Sequence, residues 1–395
     1  MRELRVKQEC EQKNLDRNVR NGKVCQDTLL RNVRGNMLIS GRYAKELSLW
    51  EKIIQVYLER NDMPTIVLTG TKEVLERTLS RPGVVISGGG RKNYHPMYGM
   101  NKQQIWKLIQ SAAEETGGNG TFQKMHLYAM AALDIVSAQY PVSLPALIGL
   151  MECEDEYIVQ FALEKGVSER IVNTIYGNRE GGILFRRVLE HLQRTFEGIA
   201  LRNSETKYNM VAGAERGNLV MLLDQYSQNQ RLFNSYLREE LYALLQRNSK
   251  VRVILGEVFF VSKEDELLQF LMQMKRQGKV EVIICSEYAQ EIVYGEQMEF
   301  ENICLFMHGT TAATENLSEA VFGKYIHYYP SVSVGRPPAL LFSFRRDERW
   351  SSQQEERLRV RAVDLNGKRE ELLAIKLWNY RDVYLVPVND FFEGR

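Results

Sequence analysis

The sequence predicts an α/β protein on a mostly parallel sheet flanked by helices, with an inserted all-α domain and a β-rich C-terminal extension. Three observations carry this. Short β-branched runs alternate with amphipathic helices over residues 35–121 and again over 206–330, the pattern of a parallel sheet. Residues 122–205, between them, hold helical spacing alone. From Ala339 onward strands follow one another without helices, and Asn366-Gly367 between two of them is a hairpin signal.

The elements follow in order. Residues 1–34 form a polar N-terminal extension, expected to be frayed or weakly packed. Met37–Ser40 reads as a strand and Leu47–Arg60 as a helix, with Leu49, Trp50, Ile53, Ile54 and Tyr57 on one face. Pro64 breaks the chain before the β-branched strand Thr65–Thr69. A helix is predicted at Lys72–Leu79, a strand at Val84–Ser87 before Gly88-Gly89-Gly90, and a helix at Lys102–Ala113. Gly117-Gly118-Asn119-Gly120 closes this first part of the sheet domain. The helical domain then carries Leu127–Tyr140, Leu144–Leu150, Glu154–Lys165, Glu169–Tyr176 and Ile183–Ala200. The sheet resumes with strands at Asn218–Leu223, Val251–Leu255, Val280–Cys285 and Ile303–Met307. Helices at Gln230–Gln246, Glu264–Gln277 and Glu287–Ile292 separate them. The extension over 331–395 is expected to hold strands at Leu340–Phe344, Arg357–Val363, Glu371–Trp378 and Val383–Val386, the last stopped by Pro387.

Composition narrows the function classes. The chain has 395 residues, 44% hydrophobic and 26% charged, as in ordinary globular domains. Its 52 Lys+Arg against 50 Asp+Glu leave a charge of +2, so no global field draws it onto nucleic acid or anionic lipid. Cys10, Cys25, Cys153, Cys285 and Cys304 lack metal-ligand spacing, and an odd count without pairing pattern points to reduced thiols and a cytoplasmic location. No apolar run approaches a membrane span and no signal core opens the chain. The five histidines, at 95, 126, 191, 308 and 327, are dispersed, so no metal site is expected.

Two stretches look like damaged nucleotide motifs. A phosphate-binding loop reads G-x-x-x-x-G-K-S/T: backbone N–H groups wrap phosphate, the lysine neutralises it, and the hydroxyl holds Mg²⁺. After the strand Met37–Ser40 the chain instead runs from Gly41 through Lys45, Glu46 and Leu47 to Ser48. Gly41 and Ser48 occupy the outer positions, Leu47 stands in the lysine's place, and Lys45 comes two residues early. Alone, the stretch reads as an ordinary strand–helix turn. The partner motif is an apolar strand ending in Asp-Glu, the aspartate arranging Mg²⁺ and the glutamate polarising water. "VRVILGEVFF" has the strand and Glu257, with Gly256 where the aspartate belongs.

The order of the whole chain, "GNMLISG", "PTIVLTG", "YHPMYG", "GNLVMLLDQYSQNQRLFNSYLREELYALL", "KVRVILGEV", "DELLQFLMQMKRQG", "VEVIICSEYAQEI" and "LSEAVFGKY", carries a resemblance. It is similar to the RecA-like motor domain of conjugative type IV coupling proteins, the TraG/TraD family within the FtsK–HerA superfamily, over about residues 30–325. The resemblance implies a P-loop fold, an inserted all-α domain facing cargo, and a strand ending in Ser/Thr-Gln that senses the γ-phosphate. Here Glu287 follows Ser286 in that place. It therefore implies a degenerate site, with Gly41, Lys45 and Ser48 the vestige of a phosphate loop and Glu257 and Glu287 catalytic remnants. ATP and Mg²⁺ would be cofactors only if that loop still binds.

One basic feature stands apart. A strand over Arg357–Val363 would put Arg357, Arg359 and Arg361 on one face and Leu358, Val360 and Ala362 on the other. That face could contact nucleic-acid phosphates. It equally reads as a solvated face balanced by Glu355, Glu356, Glu370 and Glu371. The expected function is a pseudo-ATPase scaffold, regulator or substrate recruiter of a conjugation or secretion machine. It would contact a protein partner through the helical insertion, beside a paralogous ATPase, and reach the inner face of the membrane only through partners. The alternatives are a divergent ATP-driven DNA or protein translocase and a nucleic-acid-binding accessory factor.

Overall fold

The computed structural model describes residues 2–14, 19–21, 24–41, 46–60, 62–69, 84–87, 97–115, 122–139, 141–195, 209–211, 218–222, 230–248, 250–256, 266–286, 300–306, 312–335, 347–365, 371–379 and 383–394. The first elements are α1 (Arg2–Asn14), β1 (Val19–Asn21), α2 (Gln26–Asn32), β2 (Met37–Ser40) and α3 (Glu46–Arg60). Strands β3 (Thr65–Thr69) and β4 (Val84–Ser87) precede α4 (Lys102–Glu115). Five helices follow: α5 (Phe122–Ser137), α6 (Leu144–Met151), α7 (Asp155–Glu164), α8 (Glu169–Gly177) and α9 (Arg179–Thr195). Then come β5 (Asn218–Leu222), α10 (Gln230–Arg247), β6 (Val251–Gly256), α11 (Glu266–Arg276), β7 (Val280–Ser286), β8 (Asn302–Leu305) and α12 (Ala312–Phe322). The last are β9 (Lys324–Gly335), β10 (Asp347–Leu358), β11 (Leu372–Lys376), β12 (Val383–Pro387) and α13 (Val388–Glu393).

The chain divides into two compact units, one of Trp50–Cys285 and one of Met1–Leu49 with Ser286–Arg395. In the first, the strand order is β7-β6-β3-β5-β4, and every described pairing is parallel. Its central strands are continuous apolar runs because both faces are covered; all six residues of β6 are buried. Trp50, Ile53, Ile54 and Tyr57 on α3 are fully buried, as the helical spacing requires.

Within the same unit, α5–α9 form the helical block. Phe185, Val188, Leu189 and Leu192 of α9 and Met125, Tyr128, Ala129 and Leu133 of α5 are all buried. Gly181 allows the two helices to touch at the backbone. A Cβ there would sit 2.3 Å from the carbonyl carbon of Lys124. The sequence places the start of α9 at Ile183, after this glycine pair, but the helix runs through both from Arg179. Ser143 caps α6, its hydroxyl accepting from Ala146 N at 3.3 Å, with Pro145 in the first turn.

The other unit has strand order β1-β12-β11-β8-β2. β1 runs parallel to β12 and β2 parallel to β8, while β11 is antiparallel to both neighbours. β9 and β10 make a separate antiparallel ribbon, paired over twelve residues each. The N-terminal segment departs from the frayed start expected of it. α1 lies against this ribbon with Cys10 buried. Its last residue, Asn14, pairs with the Tyr328 backbone in both directions: Nδ2 donates to the carbonyl at 2.8 Å and Oδ1 accepts from the N–H at 2.9 Å. A side-chain amide thus substitutes for a neighbouring strand.

The strand expected over Arg357–Val363 is also corrected. β10 ends at Leu358, the chain bends at 359–360, and Ala362–Leu365 is a 3₁₀ turn. Asp364 accepts from the Arg361 N–H at 2.9 Å, closing the turn, while Val360, Ala362 and Leu365 go into the core. The apolar period of two was real but belongs partly to a turn. The helices expected at Lys72–Leu79 and Glu287–Ile292, the strand at Leu340–Phe344 and the Asn366-Gly367 turn lie outside the described residues.

Candidate functional site

β2 is buried along its whole length and ends in Gly41, which is itself buried and has a φ of +106°. Only glycine enters that region cheaply, so the strand can turn sharply toward α3 at this point. Phe306 N donates to Ser40 O at 2.8 Å and fixes the end of the strand. α3 begins at Glu46, so Leu47 and Ser48 fall in its first turn, where helix N–H groups have no partner within the helix. Lys45 lies outside the described residues, as do Glu257 and Glu287.

Gly256, the last residue of β6, is buried and in register with Thr69 of β3 and Cys285 of β7. A glycine there offers no carboxylate at the end of the strand.

At the opposite end of the same strands sits a polar cluster that sequence reading missed. Arg252 is 1% exposed. Its Nε donates to Glu281 at 2.8 Å, and Nη1 and Nη2 donate to the two oxygens of Asp62 at 3.0 and 3.2 Å. The guanidinium also lies 4.5 Å from the Tyr57 ring centre. Burial pushes the Asp62 carboxyl up, but the hydrogen bond and charge of Arg252 outweigh it and hold its pKa below the ordinary value. Every group is satisfied by another, so the cluster clamps neighbouring strands and leaves nothing for a substrate. The signal was an arginine second in an apolar strand.

A second set of polar contacts lies on α10, with Tyr236 and Glu240 buried and Arg247 exposed. The Tyr236 hydroxyl accepts from Met97 N at 3.1 Å, and Met97 holds a φ of 70°. Arg247 donates to Gly99 O at 3.3 Å, and Glu240 accepts from Met210 N at 2.6 Å. Asn209 donates to the Tyr98 carbonyl, joining the segment before α4 to the segment before β5. Glu240 is fully buried, and burial raises its pKa well above normal despite the Met210 hydrogen bond. Burial thus favours its protonated form.

Arg357, Arg359 and Arg361 do not share a strand face. Arg357 pairs with Glu355 at 2.9 Å and Arg361 with Asp364 at 2.8 Å. His126 packs on Trp106, with ring centres 4.4 Å apart. Among the described residues no three His, Cys, Asp or Glu side chains group as metal ligands. Among them, too, no helix is long and apolar enough to cross a membrane.

No protein-family model matches the sequence, and no curated protein matches it either. Solved structures do. The unbound bacterial conjugative coupling protein TrwBdeltaN70 superposes with a TM-score of 0.53 at 12% identity, covering 92% of this chain and 91% of that one. The same protein with sulphate gives 0.54 at 14% identity, over 89% and 85% of the two chains. Plasmid coupling protein TrwB in complex with ADP and Mg²⁺ gives 0.53 at 12%, over the same shares. Likeness at such identity is likeness of fold: this chain has the RecA-like α/β fold of the coupling-protein motor domain.

Proposed function

We propose that the protein is a catalytically degenerate, coupling-protein-like P-loop protein that acts as a scaffold, regulator or substrate recruiter in a bacterial conjugation or secretion system. The fold supports the machine; Gly256 carries the degeneracy. A TrwB structure holds ADP and Mg²⁺. In this chain Gly41 is kept, but the residues standing at the other two motif positions of the sequence do not suit such a ligand. Leu47 brings no charge to a phosphate and Gly256 brings no oxygen to a metal. Hydrolysis loses two charge contacts that ordinarily supply much of its transition-state stabilisation.

The purified protein is expected to show no ATPase above background and no Mg²⁺-dependent thermal shift with ATP. Turnover that Glu257→Gln abolishes would overturn the reading and restore a translocase. The helical block is the partner-facing surface in this reading. Tyr157, Leu163 and Ile183 are exposed there; in the acidic run Glu152, Glu154, Asp155 and Glu156 the last two are held by Arg179, and Glu152 and Glu154 suit a basic protein partner. The self-paired arginines at 357 and 361 favour a protein partner over nucleic acid.

A further inference from the structure

Helices α4, α10 and α11 enclose an open groove of about 560 Å³, on the α/β part of its unit and separate from the strand ends described above. Three carboxylates line it, Glu114, Glu239 and Glu266, against two cations, Lys107 and Arg238. Glu239 is the unusual member. It is only 5% exposed, and one oxygen accepts from Arg238 at 3.1 Å while the other is buried with no hydrogen-bond partner. Arg238 cannot cover that second oxygen, because its other end is held by Glu266 at 2.6 Å. Tyr242 and Phe270, edge to face at 6.4 Å, supply aromatic surface in the same groove.

We propose that this groove receives an arginine side chain presented on a basic peptide segment of a partner protein. A guanidinium is planar: it can fork onto a carboxylate and lie on an aromatic face together, which a lysine ammonium does less well. On binding, the Glu239 carboxylate turns its free oxygen outward as the acceptor, and Tyr242 supplies the face. The excess of one negative charge favours a cation. Gln269 and Gln273 on α11 line the groove with both donors and acceptors, suited to a passing peptide backbone.

Calorimetric titration of the full chain with acetyl-Gly-Arg-Gly-amide tests this, against the isosteric citrulline tripeptide and free arginine. The arginine peptide is expected to bind about tenfold or more tightly than the citrulline peptide, since only the former offers a charged donor. Glu239→Gln should weaken it by a similar factor, and Tyr242→Ala by about two- to fivefold. No binding, equal binding of the two peptides, or an unaltered affinity in a folded Glu239→Gln protein would overturn the proposal and leave water as the occupant. Tighter binding of free arginine than of the peptide would overturn the assignment to a protein partner. The citrulline comparison uses the unaltered protein, so it decides even if a variant fails to fold.

Discussion

Single residues set two opposite electrostatic problems in this protein and solve them differently. Arg252 stays charged in the interior because Asp62 and Glu281 meet it; Glu240 meets the Met210 N–H, and burial favours its neutral form instead. The second solution has a pH signature. The unfolded chain releases the Glu240 proton as pH rises through about 4.5, while the folded chain holds it. Stability therefore falls with rising pH from there until the raised folded pKa is reached. Glu240→Gln keeps a carbonyl for the Met210 N–H and removes that ionisation. Its melting temperature is expected to equal or exceed wild type at pH 8, with a smaller advantage, or none, at pH 4. Thermal denaturation at both pH values checks this, and a larger loss at pH 8 than at pH 4 would contradict it. Neither residue's role was legible in advance. The arginine was visible in its apolar strand, but its partner Asp62 lies 190 positions away.

At the level of elements, the parallel strands other than β1 were legible nearly to the residue because burial on both faces makes them apolar and β-branched; β1, Val-Arg-Asn in a polar stretch, was not. The β9–β10 ribbon was not. Its faces mix Tyr, His, Ser, Gln and Glu, since α1 covers only part of it and no second sheet demands an apolar side. α1 was misjudged for the same reason: it is held by polar pairing at Asn14 rather than by an apolar stripe. The glycine pair opening α9 misled in the other direction, suggesting a break where the helix needs close approach. Gly181→Ala is expected to destabilise the helical block by about 1–3 kcal/mol, because the added methyl meets backbone that cannot rotate away. Gly149→Ala, with nothing within 4 Å of its added methyl, is the control and should be neutral or slightly stabilising. Urea denaturation of both variants separates the outcomes; equal midpoints would count against the close helix contact.

On the scale of the whole molecule, the helical block is a detour whose inbound and outbound segments are tied together. Asn209 bonds to Tyr98, and α10 holds both sides through Tyr236, Arg247 and Glu240. Replacing residues 122–205 by a short Gly/Ser linker is therefore expected to leave a folded α/β core, with partner capture lost in a pull-down. The excision uncovers Trp106, which otherwise packs on Phe122 at 5.5 Å and on His126, so a red-shifted tryptophan emission should accompany it. Loss of the strand signal in circular dichroism would show that the block is integral to the core. Capture that survives the excision but fails in an Arg357/Arg359/Arg361 triple change to Ser would move recognition to the C-terminal segment.

The parallel pairing of β1 with β12 has a consequence for synthesis. Val19–Asn21 is made about 360 residues before its partners at Val383–Leu385. At elongation rates of about 5–20 residues per second, the interval is about 20–70 s. Within it the unit spanning Trp50–Cys285 is completed before β12 is made, while the N-terminal strand carries unpaired N–H and C=O groups. Until β12 is made, that strand edge is open to pairing with other chains.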